Sequence, residues 1–194
     1  MEVIRAAQCR AMPWKNGGGS TTEIATDPPG ASLDAFDWRV SMARVASDGP
    51  FSHFAGIDRT LAVVEGDGIE ITIDGGPPVA LTRDAPPLSF PGDKPTAATL
   101  AAGPITDLNV MSRRGRYGHR LTRLAGAEAL PGEDGIDVVV VLVVHGEAMV
   151  EAGDASAALG AGDAAILRRP AAGGARFVPR AEALAYLIVL RADR

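Results

Sequence analysis

The stretch LAVVEGDGIEI (Leu61–Ile71) returns eighty residues later as VLVVHGEAMVE (Val141–Glu151), with Val63-Val64-Glu65-Gly66 answered by Val143-Val144-His145-Gly146. Two further elements repeat at almost the same offset. Leu81 and Pro87-Leu88-Ser89-Phe90 correspond to Leu159 and Ala165-Ile166-Leu167-Arg168, and Thr106–Met111 corresponds to Ala185–Leu190. Three elements at offsets of 78 to 80 residues mark an internal duplication.

Each copy reads as short strands. Ile69–Asp74 alternates apolar and polar residues as a half-buried strand does, and it stops at the turn signal Gly75-Gly76-Pro77-Pro78. Trp38–Met42 alternates as well. Val138–Val144 is a run of apolar, mostly β-branched residues that suits a strand buried on both faces better than a helix. The Ala-rich segments Ala125–Leu130 and Ala155–Ala161 read as short helices or loops. A strand, a Gly turn, a strand and then a Gly-Asp element before an apolar run (Gly162–Leu167) resembles the cupin plan. Two copies resemble a bicupin, an all-β chain of two small antiparallel jelly-roll barrels. The expected division is an N-terminal cupin with the ligand pocket over residues 1–112 and a C-terminal cupin over 113–194, with Arg113–Arg123 as linker region.

Composition agrees with this plan. Glycine (23) and proline (14) make up close to a fifth of the 194 residues, against a usual ~12%, so turns are many and long helices few. Hydrophobic residues at 46% exclude a disordered chain. The longest apolar stretch, Ala183–Leu190, falls far short of the ~20 residues a membrane-spanning helix needs. The opening MEVIRAAQCR has no apolar run of the secretory kind, so a cytoplasmic protein with no membrane partner is expected. A lone cysteine, Cys9, excludes an internal disulfide and a Cys-rich metal site. A net charge of −5 speaks against nucleic acid as the main partner.

Metal-binding cupins present paired histidines, a carboxylate and a third histidine on a later strand. This chain holds three histidines, His53, His119 and His145, and no His-x-His pair. No metal or other cofactor is therefore expected. Neither a Ser-His-Asp order nor a base beside Cys9 suggests a nucleophile.

Arg59 is the informative residue. By the period of two it shares a strand face with Leu61 and Val63. If those two point inward, a cation that cannot lose its proton is indoors, and unpaired it costs several kcal/mol. Its partner is then either an internal acid (Asp58, Asp107 or Glu23) or the carboxylate of an anionic ligand, whose geometry fits the guanidinium fork. Asp107 and Asn109 share one face of their own strand, which lines a cavity or meets water. Arg39 and Ser41 pose the same choice. Three consecutive glycines in MPWKNGGGSTTEIA (Met12–Ala25) form either an anion cradle or a plain turn. Trp14, Lys15 and Asn16 stand where they could cover a pocket mouth. The basic cluster Arg113, Arg114, Arg116, His119, Arg120 and Arg123 reads as a solvated linker edge ahead of a phosphate-binding patch.

The blocks MPWKNGGGSTTEIA, FDWRVSMARVASDGPFSHFAGIDRTLAVVEG (Phe36–Gly66), LSFPGD (Leu88–Asp93) and GPITDLNVMSRRG (Gly103–Gly115) resemble the HutD/Ves family across much of residues 12–115. The resemblance implies a bicupin with an accessory, regulatory role in bacterial histidine utilisation rather than an established enzymatic one. It implies a small anionic metabolite, urocanate or formylglutamate-like, held by Arg59. The expected ligand-binding set is Arg59, Trp14, Lys15, Asn16, Asp107, Asn109 and Phe54. The alternative is a metal-independent isomerase or hydrolase, with Asp58, His53 or Glu23 as base. Cupins pair through sheet edges that need covering, which leaves a homodimer open.

Overall fold

The computed structural model describes residues 1–14 and 17–193. Among them regular structure is almost entirely β, the exception being a 3-10 turn at Ala6–Gln8. No helix among the described residues is long and apolar enough to cross a membrane. The chain divides into two compact units, Arg10–Gly115 and Met1–Cys9 with Arg116–Arg194. The first nine residues thus join the second unit, whereas the sequence reading grouped 1–112. Pairing explains this: Glu2–Ile4 is hydrogen-bonded antiparallel to Ala164–Arg168.

In the unit Arg10–Gly115, a six-stranded antiparallel sheet runs in the order Ala11–Pro13, Gly19–Asp27, Trp38–Val45, Ile105–Arg113, Ile57–Glu65, Leu88–Pro91. A four-stranded sheet runs Gly49–Pro50, Thr96–Leu100, Ile69–Ile73, Val79–Leu81. The two sheets share one apolar core, to which Leu61 and Val63 contribute from the first and Ile69, Ile71, Leu81 and Ala98 from the second.

The second unit repeats this plan. Its larger sheet runs Glu2–Ile4, Ala164–Arg168, Val138–His145, Leu184–Ala192, Tyr117–Leu124, and its smaller one Glu128–Ala129, Ala175–Pro179, Ala148–Ala152, Ala155–Leu159. Eight strands therefore correspond in order, so the duplication extends beyond the three segments visible in the sequence. The sheets remain separate in each unit rather than closing on themselves. The repeated turn glycine has a steric cause. Gly66 has φ +89° and a Cβ there would stand 2.7 Å from the Pro104 carbonyl oxygen; Gly146 has φ +75° and packs on Ala183. Only glycine accepts both demands.

Two segments differ from expectation. Ala155–Leu159 is a strand, because Ala157 and Leu159 alternate into a core with Val150 and Phe177 that outweighs the helix propensity of alanine. Arg113–Arg123 is no linker: Arg113 ends one strand, and Tyr117–Leu124 is an edge strand paired with Leu184–Ala192. Leu121 and Leu124 are buried, on opposite faces of the strand, while Arg120 and Arg123 are exposed, so two apolar anchors sit within a basic run.

Leu61 is fully buried, and Val79, on an edge strand, is 39% exposed. Leu61→Ala is expected to cost about 2–5 kcal/mol in urea denaturation, and Val79→Ala under about 1 kcal/mol. Equal effects would contradict this core assignment.

Candidate functional site

Beside its apolar core, the inner face of the six-stranded sheet carries a polar patch. Cross-strand pairing lays it out in three rows. Phe90, Arg59, Met111, Arg39 and Thr26 form the first; Leu88, Leu61, Asn109, Ser41 and Glu23 the second; Val63, Asp107, Ala43 and Thr21 the third. Directly opposed residues share a face, so every one of these points to the side of Leu61 and Val63. Of the two readings open for Asp107 and Asn109, the inward one holds: they are 2% and 7% exposed.

Arg59 lies between two apolar groups, the main core of the unit and a smaller cluster of Phe36, Ile57 and Met111 with Phe54 against it. Its guanidinium carbon sits 4.7 Å from the ring centre of Phe51, 5.4 Å from Phe90 and 5.8 Å from Phe54. Phe51 and Phe90 themselves meet edge to face. Ring quadrupoles attract a cation at such distances, but they do not neutralise it. Arg59 Nε donates to Asn109 Oδ1 over a long 3.4 Å. Among the described residues, no carboxylate forms an ion pair with Arg59. Burial pushes its guanidinium down to about 10, with nearby Asp107 offsetting this only in part and Arg39 adding to it. It stays cationic at neutral pH.

The internal acids weighed as partners are engaged elsewhere or held apart. Glu23 pairs with Arg39, Oε2 to Nε at 2.7 Å, and Arg39 also donates to Ser41 Oγ at 3.2 Å. Asp58 lies on the opposite face and pairs with Arg114, which also grips Asp93. Asp107 is the carboxyl that remains. Burial pushes it up to about 7, and the attraction of Arg59 only partly resists. Its Oδ1 has no hydrogen-bond partner. Register shifts fall beside both acids of the inner face, at Thr106/Asp107 and Glu23/Ala25. Such bulges re-aim side chains.

Phe54, half-buried, is one of the three rings around the Arg59 guanidinium. Trp14 is half-buried and packs on the apolar core, its indole nitrogen donating to Thr21 Oγ1 at 2.8 Å. Lys15 and Asn16 lie outside the described residues. The glycine run favours its turn reading, since a Cβ on Gly19 would collide with the Arg44 carbonyl at 2.2 Å and with the Trp14 ring. Of the proposed bases, His53 is exposed, while Glu23 and Asp58 are tied to arginines. Of the basic cluster, Arg113 donates to the Phe36 and Asp34 carbonyls and Arg114 is the double clamp above, so both are structural. No group of three or more acids, histidines or cysteines among the described residues is arranged to hold a metal ion.

Phe51 and Phe90 escaped sequence reasoning. Phe90 is opposite Arg59 only through the sheet register, and no local spacing signals it. In the second unit the matching positions are Val139, Ala185 and Leu187, by the same cross-strand pairing that sets Arg59, Asp107 and Asn109 in the first. Those three positions belong to a buried apolar core, with Thr122 and Arg120 opposite Leu187 and Val189 on the edge strand. The polar site belongs to the first unit.

Comparison with known proteins adds the following. The HutD family model matches residues 6–185. An uncharacterized 21.2 kDa protein in the hutC 3'region of Pseudomonas putida is 40% identical over 131 residues, covering 67% of this chain and 67% of that protein. Protein Ves of Citrobacter koseri is 41% identical over 112 residues, 55% of this chain and 56% of its own length. The chain thus aligns with only about half to two thirds of these curated relatives. The structure of HutD from Pseudomonas fluorescens SBW25, obtained in a formate condition, superposes with a TM-score of 0.84 at 34% identity over 98% of both chains. A cupin 2 conserved barrel domain protein from Leptotrichia buccalis, 12% identical, shares the fold at a TM-score of 0.58 over 98% of this chain and 96% of its own.

Asp107 makes the site testable by pH. Its folded value of about 7 lies above the ordinary 3.8, so the native state holds the proton more tightly than the unfolded chain. Stability is therefore highest below about pH 4 with respect to this group and declines as pH rises to about 7, by at most ~4 kcal/mol. Asp107→Asn is expected to remove that decline, so its advantage over the parent in chemical denaturation grows from pH 4 to pH 8. Parallel curves for the two proteins would show that Asp107 carries no such penalty.

Proposed function

This chain belongs to the HutD family, and from that premise we propose that it is a metal-free, two-module cupin protein that binds a small carboxylate at Arg59. Urocanate and formylglutamate-like anions are the ligands put forward, and the role is to regulate or buffer histidine catabolism. One observation carries the reading: a permanent cation, 5% exposed, has no carboxylate at ion-pair distance among the described residues. Leaving such a charge unmatched costs several kcal/mol. A ligand carboxylate supplies both the missing charge and acceptors for the guanidinium fork. Each charge-assisted hydrogen bond contributes about 1.5–3 kcal/mol. The relative encoded in a hutC region supports the metabolic setting. The ring of Phe51, Phe54 and Phe90 favours a flat or compact anion over a bulky one.

One observation favours turnover as a second reading. Asp107 is a buried carboxyl near the anion site with its proton affinity raised toward neutrality, the condition a general base or acid needs. It would displace Asp58, His53 and Glu23 as the base of a metal-independent isomerase or hydrolase. Mass spectrometry of histidine-pathway carboxylates incubated with the protein separates the readings, since binding alone leaves every mass and isomer ratio unchanged.

For the favoured reading, millimolar urocanate or formylglutamate is expected to raise the melting temperature by several degrees, because a ligand selective for the native state stabilises it by mass action. Arg59→Ala should abolish the shift, whereas Arg120→Ala, on an exposed edge, should keep it. An unchanged melting temperature with both ligands would remove them as partners.

A further inference from the structure

We infer that Asp107 is a second ligand-reading group of the Arg59 site and that it is protonated in the complex, so an anion captured by Arg59 enters together with a proton. The inference rests on the carboxylate-binding reading above and specifies how that binding is controlled. Asp107 is 2% exposed and its Oδ1 meets no donor. Native folds seldom leave a buried oxygen in that state, and a ligand atom is one way to satisfy it. On this face Asn109 stands between the row of Arg59 and that of Asp107, and it is to Asn109 that Arg59 Nε donates. The guanidinium therefore leans along the sheet toward the Asp107 end.

Among the described residues the charged groups facing Asp107 are few. From its own sheet they are Arg59, Arg39 and Glu23, and the last two neutralise each other at 2.7 Å. The opposing sheet presents Ile69, Ile71, Leu81 and Ala98. Among the described residues one cation is thus left to serve two anions once a carboxylate arrives. Two like charges in a water-poor site do not both persist, and the lower-cost outcome is that one of them holds a proton. Burial already prepares Asp107 for this, having raised it to about 7. Protonated, it changes from a repelling charge into an O–H donor toward a ligand oxygen. The site then selects carboxylates with an accessible acceptor oxygen and rejects amines.

Isothermal titration of the full chain with formate, and separately with urocanate, tests this between pH 5.5 and 8.5 in two buffers of different ionisation heat. Affinity is expected to be level below about pH 6 and to weaken by about tenfold per pH unit above about pH 7, with nearly one proton taken up per anion at pH 8. Asp107→Asn is expected to level the profile and bind at pH 8 as the parent does at pH 6. Binding that Arg59→Ala abolishes, yet with one affinity from pH 6 to 8 and no proton uptake, overturns this inference and leaves the Arg59 site standing. The absence of saturable binding at every pH overturns both. The proton count on the unaltered protein decides the matter even if the variant does not fold.

Discussion

A guanidinium confined to the inner face of a β-sheet is the constraint around which the first unit is arranged. Arg59 cannot shed its charge, and water is largely excluded from it. Three aromatic rings and one long hydrogen bond give it partial relief. Apolar packing on either side keeps the strand in place all the same: Ile57, Leu61 and Val63 on the same face are each at most 2% exposed. Their burial, at roughly 25 cal/mol per Å², is what lets one strand hold a charge that no hydrophobic argument would put there.

The acids of this face show how environment divides two similar carboxyls. Glu23 is partly exposed and bound to Arg39, so it neutralises a neighbour and is itself satisfied. Asp107 is sealed in, with one oxygen unmatched and only the nearby Arg59 cation, not in ion-pair contact, to favour its ionised form. Both stand next to a register shift, where a strand can turn a side chain without disturbing the ladder beyond it. The second unit has Val139, Ala185 and Leu187 in the places of Arg59, Asp107 and Asn109, and all three belong to its buried apolar core. Duplication thus yielded one unit whose matching positions are apolar core and one that keeps a buried cation and an unmatched buried carboxyl oxygen.

Much of the fold was legible. The Val-Val-x-Gly repeat located the paired strands because a turn glycine at positive φ against a neighbouring backbone admits no other residue. Alternation placed Arg59 on the face of Leu61 and Val63. Legibility failed where a residue's partner lies far along the chain. The arginine run 113–123 looked like a solvated connection because its charges outnumber Leu121 and Leu124, and only pairing with Leu184–Ala192 shows it to be a strand. Ala155–Leu159 misled in the opposite way, since its small side chains carry little strand signal until Val150 and Phe177 face them. Asp58 and Glu23 were plausible partners of Arg59 by sequence distance and composition, but Arg114 and Arg39 hold them.

By itself the chain's order of residues determined the duplicated β plan and the face that Arg59 shares with Leu61 and Val63, because these follow from local periodicity and turn stereochemistry, and four sequence blocks carried the resemblance to the family. Tertiary structure alone decided which acid stays unpaired, which rings surround the cation, and which of the two copies keeps a site. Those outcomes depend on register between strands fifty or more residues apart, as Arg59 and Asn109 are, and on how completely the assembled sheets exclude water. Neither quantity is written in any single segment.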